Sequence, residues 1–251
     1  MAEQHSPLEQ FVIKHWIDIP VGNLNLGFSN SAFWMLMTVV LSTALIVVSM
    51  RGRGLVPTRW QSVAELMYEF IGNMLNDVVG KGGRPFFPFV FSLFIFVMFA
   101  NLLGMIPYSF TVTSHIIVTF SLAIVIFIGV TIIGFVKNGF GFLKFFAPSG
   151  VPWAVMPLLV PIEIISYFVR PVSLSVRLFA NMMAGHTMLK VFGGFVPKLI
   201  GIGILGAVGA TIPLAFMVVF TGFEIGVAII QAYIFTILTC LYLNDALHPH
   251  H

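Results

Sequence analysis

Arg177 stands near the middle of a long apolar segment, Trp153–Val191. Its guanidinium cannot be deprotonated in a protein, so it is a fixed positive charge wherever that segment lies. If the segment is in lipid, a central arginine costs roughly 2.5 to 17 kcal/mol unless it meets a partner or water. About fifteen residues separate it from the outer end of the segment. At about 1.5 Å per residue its side chain cannot easily snorkel to a headgroup layer. Two chemistries answer this: a structural ion pair with Glu163 or Glu224, or an electrostatic gate facing a carboxylate that a partner supplies.

The spacing of the other polar residues favours the gate. Arg170 lies seven residues before Arg177, so the two share a helix face, and Ser173 and Asn181 flank Arg177 one turn to either side. Glu163 precedes Arg177 by fourteen residues, about 21 Å of continuous helix. His186 follows it by nine, roughly on the opposite face. In the last apolar segment Glu224 and Gln231 are seven apart and again share a face. Titratable groups on both sides of a permanent cation are the layout of two offset half-pathways for an ion, and ionisable residues inside spans usually mark such routes. Each residue has a plainer alternative. Glu163 can cap a helix after Pro161, His186 can be a hydrogen-bonded bundle histidine, and Arg170 can anchor at the cytoplasmic interface. Asn101 fits interhelical glue as well as channel lining. His186 with Glu224 lacks further metal ligands, the lone Cys240 excludes a disulfide framework or thiolate site, and no phosphate loop or Ser–His–Asp arrangement is visible. No metal or cofactor is expected, nor is catalysis by this chain alone.

The elements that must position these residues follow from composition. Hydrophobic residues make up 59% of the 251 and charged ones 8%, against about 25% charged in a soluble domain. With a mean hydropathy of +1.03, lipid is the solvent. The class is an all-α integral membrane protein forming one membrane domain, with five membrane-embedded helices and one interfacial helix. After a polar N-terminus, residues 1–30, which lacks the pattern of a signal peptide, the expected spans are 31–50, 85–106, 115–136, 153–191 and 199–243. Over 57–79 the residues Trp60, Val63, Met67, Phe70, Met74 and Val78 recur at helical spacing among polar ones, which predicts an amphipathic helix lying in the interface with Pro57 in its first turn. The last two segments exceed what a bilayer needs, so they must tilt or bend, with Pro157, Pro161, Pro171 and Pro213 as bend points. Gly193, Gly194 and Pro197 predict the turn between them at Phe192–Lys198. A plain hairpin about that turn would misalign His186 and Glu224 by about 30 Å. They can meet only if the last segment bends or begins with a lateral stretch, which Pro213 and the glycines from Gly201 to Gly209 permit.

Loop charge sets the orientation. The connector from Arg51 to Arg84 holds five basic residues (Arg51, Arg53, Arg59, Lys81, Arg84), and Lys137 and Lys144 lie on the same side. The link Pro107–Ser114 holds none. The positive-inside rule then puts the N-terminus outside and the C-terminus in the cytoplasm, although Lys190 and Lys198 run against it. A sequence pI of about 9.2 comes from these loops and does not mark a nucleic-acid binder, because basic residues never cluster among aromatics. A self-contained secondary transporter would show an internal repeat, and none is visible. A passive membrane scaffold has no need of Arg177 or Glu224.

The stretch Arg170-Pro-Val-Ser-Leu-Ser-Val-Arg177-Leu-Phe-Ala-Asn181-Met-Met-Ala-Gly-His186 resembles the signature of subunit a of F-type ATP synthases. Glu224-Ile-Gly-Val-Ala-Ile-Ile-Gln231-Ala-Tyr-Ile-Phe-Thr-Ile-Leu-Thr resembles that family's second motif, and Asn101-Leu-Leu-Gly-Met-Ile-Pro107 a third. The resemblance implies a stator subunit of a bacterial inner membrane. Its last two helices would form a tilted hairpin against a ring of c subunits, with peripheral-stalk b subunits and the rest of the ATP synthase as further partners. It places Arg177 on the family's essential arginine, facing the proton-carrying carboxylate of each c subunit. Glu224 and His186 fall on outer half-channel positions, Gln231 and Asn181 near the ring, and Glu163 near the cytoplasmic exit. Many bacterial members carry a carboxylate where His186 stands and a histidine where Glu224 stands. The exchange here resembles mitochondrial-type members. A histidine on the route suits protons better than sodium.

Overall fold

The computed structural model describes residues 11–17, 20–21, 24–25, 27–51, 57–106, 109–146, 152 and 154–248. Arg53, Pro107 and Trp153, named above, lie outside the described residues, as do Pro148, Gly150, His250 and His251. Seven α-helices carry the fold among them: α1 Asn30–Ser49, α2 Arg59–Val78, α3 Phe87–Gly104, α4 Ile116–Asn138, α5 Met156–Ile200, α6 Ile204–Gly209 and α7 Thr211–Leu247. Five helical stretches are long and apolar enough to cross a membrane: 30–49, 80–104, 116–143, 156–200 and 204–247. In lipid, backbone groups have no water to bond, so apolar runs of this length close their hydrogen bonds as helices. The expected all-α membrane class therefore holds.

The described part of the N-terminal 1–30 carries local structure. Two short antiparallel pairs form there: β1 His15–Ile17 with β4 Phe28–Ser29, and β2 Pro20–Val21 with β3 Leu24–Asn25. The exposed Trp16 packs on Phe28 and Phe33 at the entry to α1, an aromatic anchor of the sort found at membrane interfaces.

The described chain divides into two compact units, whose boundary falls inside α1, α3, α5 and α7. One unit contains residues 97–115 and 178–232 with the N-terminal part. There α5 and α7 pack antiparallel, with the Phe192 and Phe216 rings 4.1 Å apart and Gly193 facing Met217. This contact explains the largest correction to the expected boundaries. Phe192–Lys198 is not a turn but the last part of α5, which runs on to Ile200. Two glycines in a helix cost about 1 kcal/mol each, and packing against a neighbouring helix outweighs that. The chain reverses instead at Gly201–Gly203, where Gly203 adopts φ 107°, a conformation side-chain-bearing residues avoid. The short α6 then precedes α7, and Pro213 sits in the first turn of α7, where its missing N–H costs nothing. Measured from these ends, Gly185 lies fifteen residues before Ile200 and Glu224 thirteen after Thr211, about 22 and 20 Å of helix. The apparent misalignment disappears.

The other unit contains residues 42–96, 116–177 and 233–251. Helix α2 carries the expected amphipathic pattern, but with two apolar faces. Ala64, Ile71, Met74 and Leu75 are buried inward, where Tyr68 packs on Phe87 and Phe70 on Phe94 of α3. Trp60, Val63 and Leu66 remain exposed, as an interfacial helix requires. Its N-cap is Thr58, whose hydroxyl accepts from the Gln61 N–H at 3.4 Å, so Pro57 precedes the helix rather than opening it. A 3₁₀ helix, Gly139–Phe146, returns from the end of α4 and buries Phe142 against Gly134.

Candidate functional site

In the first unit, polar residues from α3, α5, α7 and the connector before α4 converge. Glu224 on α7 is only 3% exposed, and both of its carboxylate oxygens are buried without a hydrogen-bond partner. The carboxylate rests on the Cα face of Gly185, in space that a Cβ at that position would occupy. His186, the next residue on α5, is half-buried with its Nε2 3.0 Å from Thr111 Oγ1. Glu224 and His186 are therefore neighbours through Gly185 without being hydrogen-bonded to each other. On the same helix the Asn181 Nδ2 is buried and unpartnered, and two turns along α7 from Glu224 the Gln231 side chain is 5% exposed. Burying a carboxyl and an amide without partners is costly, and proteins retain such groups at working positions.

Asn101 is fully buried on α3, where both ends of its amide are used. Its Nδ2 donates to the Ala228 carbonyl of α7 at 3.2 Å, and its Oδ1 accepts from Thr113 Oγ1 at 2.9 Å. These bonds tie α3, the connector and α7 together, which is the work of interhelical glue. The connector carries a second histidine, His115, stacked on Phe110 at 4.9 Å, and burial lowers its pKa.

The second unit contains both arginines of α5, and they stand in different surroundings. Arg170 on α5 donates to Asp245 Oδ2 of α7 at 2.7 Å, the one ion pair among the described residues. Its guanidinium also lies over the rings of Phe145, Tyr167 and Tyr242 at 5.1 to 5.6 Å. Arg170 is thus an internal crosslink, not a bare interfacial anchor. Arg177, seven residues later on nearly the same face, is exposed and forms no hydrogen bond or ion pair among the described residues. Ser173 is exposed beside it, as are Val169, Val176, Ala180 and Ala184 along the same stripe of α5. Behind them Leu174, Ser175, Leu178 and Met182 are buried. The structural ion pair of Arg177 with Glu163 or Glu224 is absent. Glu163 is half-buried and lies in the second turn of a helix that starts at Met156, so it is not a cap.

Sequence reasoning missed Thr111, Thr113, Gly185 and Asp245. The dense hydroxyls of the uncharged link (Ser109, Thr111, Thr113, Ser114) were a readable signal, as was an acid just past the expected end of the last span. Gly185 carried no signal, since a glycine's role depends on what packs against it.

Residues 32–244 match the family model described as "ATP synthase A chain". A protein from Chelativorans sp. called "ATP synthase subunit a" is 56% identical over 245 residues, 98% of each chain. Its namesake from Parvibaculum lavamentivorans is 56% identical over 98% of this chain and 94% of its own, and that of Mesorhizobium japonicum 55% over 100% and 99%. With five membrane-length helices and a match that spans nearly the whole chain, the chain belongs to the ATP synthase A chain family, as an ion-transporting membrane subunit and not a catalyst in its own right.

Proposed function

We propose that this chain is the stator through which protons enter and leave the rotating c-subunit ring of an ATP synthase, with Arg177 separating the two routes. One observation carries this reading. A permanently charged guanidinium stands exposed on a 45-residue apolar helix without a hydrogen bond or ion pair among the described residues. In lipid that charge needs an anion from another chain, and the ring's carboxylates are the anions the family resemblance supplies. The stripe around Arg177 is small (Ser173, Ala180, Ala184), which lets a neighbouring helix come close.

A proton from outside reaches the ring through the group holding Glu224, His186, Asn181 and Gln231, with Asn101 fixing the helices around them. The protonated ring carboxyl is neutral and can turn into lipid. On reaching Arg177 the ionised form is favoured, and the proton leaves by a cytoplasmic route past Glu163. A fixed cation between the routes also blocks direct leakage. Each proton falling through 100 mV releases about 2.3 kcal/mol, which drives rotation. The N-terminus is outside and the C-terminus cytoplasmic, in keeping with the basic connector. The b subunits of the peripheral stalk hold the chain against rotation.

Cysteine cross-linking within the assembled complex tests the reading. Cysteines at Ser173 and Ala180 should couple to the carboxylate-bearing helix of the ring, and one at the buried Met182 should not. Equal coupling at all three positions, or proton transport by vesicles containing this chain alone, would refute it.

A further inference from the structure

The geometry points to Thr111 as the positioning residue for His186, holding the ring by Nε2 in whichever protonation state it adopts. Thr111 Oγ1 is 3.0 Å from His186 Nε2 and 3.2 Å from the Gly104 carbonyl, with the residue itself 5% exposed. The hydroxyl has one proton to give and lone pairs to receive. When Nε2 carries hydrogen, it donates to Oγ1 and the hydroxyl donates to Gly104. When Nε2 is bare, the hydroxyl turns and donates to the ring. The Gly104 carbonyl is not stranded by that turn, because Ser109 Oγ also donates to it at 3.0 Å. A buried hydrogen bond survives in both states, so His186 keeps one orientation while its proton changes.

The threonine is built into place. Gly104 ends α3, and a Cβ there would come within 2.6 Å of Thr111 Cγ2, so the methyl fills the space the glycine leaves. Ser114 Oγ donates to the Thr111 carbonyl at 2.6 Å, fixing the backbone through the 3₁₀ turn Val112–Ser114. The other charged groups near the ring are Glu224, which rests on Gly185, and Lys190, which acts on His186 one turn further along α5. The Glu224 oxygens have no hydrogen-bond partner, so Glu224 supplies nothing to Nε2.

This inference rests on His186 being part of the proton route, and the test separates the two. In the whole complex reconstituted in vesicles, H186A is expected to lower proton-driven ATP synthesis at least tenfold. T111V, which keeps the shape and removes the hydroxyl, should lower it roughly five- to tenfold, the worth of about one hydrogen bond. T111S should retain at least half the parental rate, and T111V should add nothing to H186A. If H186A is as active as the parent, the route itself is misread. If H186A is impaired but T111V is not, the role of Thr111 alone is refuted. Equal losses for T111S and T111V, or full additivity with H186A, would mean that Thr111 serves packing only. Should T111V fail to assemble, T111A is read by the same criteria.

Discussion

Two sets of ionisable groups in this chain are handled in opposite ways. Residues 97–115 and 178–232 enclose the two carboxylate oxygens of Glu224 and the amide nitrogen of Asn181, all buried with no hydrogen-bond partner. Residues 116–177 and 233–251 hold Arg170 against Asp245 at 2.7 Å under three aromatic rings, a charge fully answered inside the chain. The difference separates structure from function. A paired charge closes the fold. Under the proposed function, a charge or carboxyl left without a partner is met from outside, by a proton at Glu224 and by an anion at Arg177. Two arginines of one helix, seven residues apart, fall on opposite sides of that division only because Asp245 reaches one of them.

Substitutions can break the comparison at its strongest point first. R177A removes no bond within the described chain, so the complex should assemble normally while proton-driven ATP synthesis falls at least about a hundredfold, as when a charge-stabilising group is deleted from an active site. Synthesis rates per assembled complex, measured after an imposed proton gradient, would decide it. A rate near the parental one would put Arg177 on the structural side.

E224Q keeps shape and burial but cannot ionise, and synthesis should drop by about ten- to a hundredfold. G185A leaves the carboxylate intact and takes its seat, so a loss of roughly tenfold is expected from displacement alone. If G185A is silent, the close approach of Glu224 to α5 has no bearing on the route. Exchanging the pair, H186E with E224H, should retain more synthesis than either single change. A double variant no better than the worse single one would show that the two sites act independently.

R170A and D245A should give the contrasting result. The pair is partly exposed, at 20% and 32%, so its loss should cost about 1–2 kcal/mol, read as a lower melting temperature of the complex, with near-parental synthesis at low temperature. Finally, Gln61 Nε2 donates to Glu65 Oε1 at 2.8 Å one turn along α2. Q61A should cost only about 0.3–0.5 kcal/mol and leave transport unchanged. A larger loss of transport would bring the interfacial helix into the functional half of the comparison.

The amino-acid sequence alone determines the class, the number of spans and the identity of the charged groups. Each of these is local: an apolar run in lipid can only close its hydrogen bonds as a helix, and an arginine amid such a run stands out wherever it packs. What only the tertiary structure decided depends on distant partners. Gly193 and Gly194 read as a break until Met217 packs on Gly193 and the Phe192 and Phe216 rings meet beside it, and moving the turn to Gly203 brings Glu224 level with Gly185. Arg170 meets Asp245 and His186 meets Thr111 across 75 residues each, and Asn101 meets Ala228 across 127. Periodicity cannot reach over such separations. It shows which face a residue occupies, while only packing determines what stands opposite.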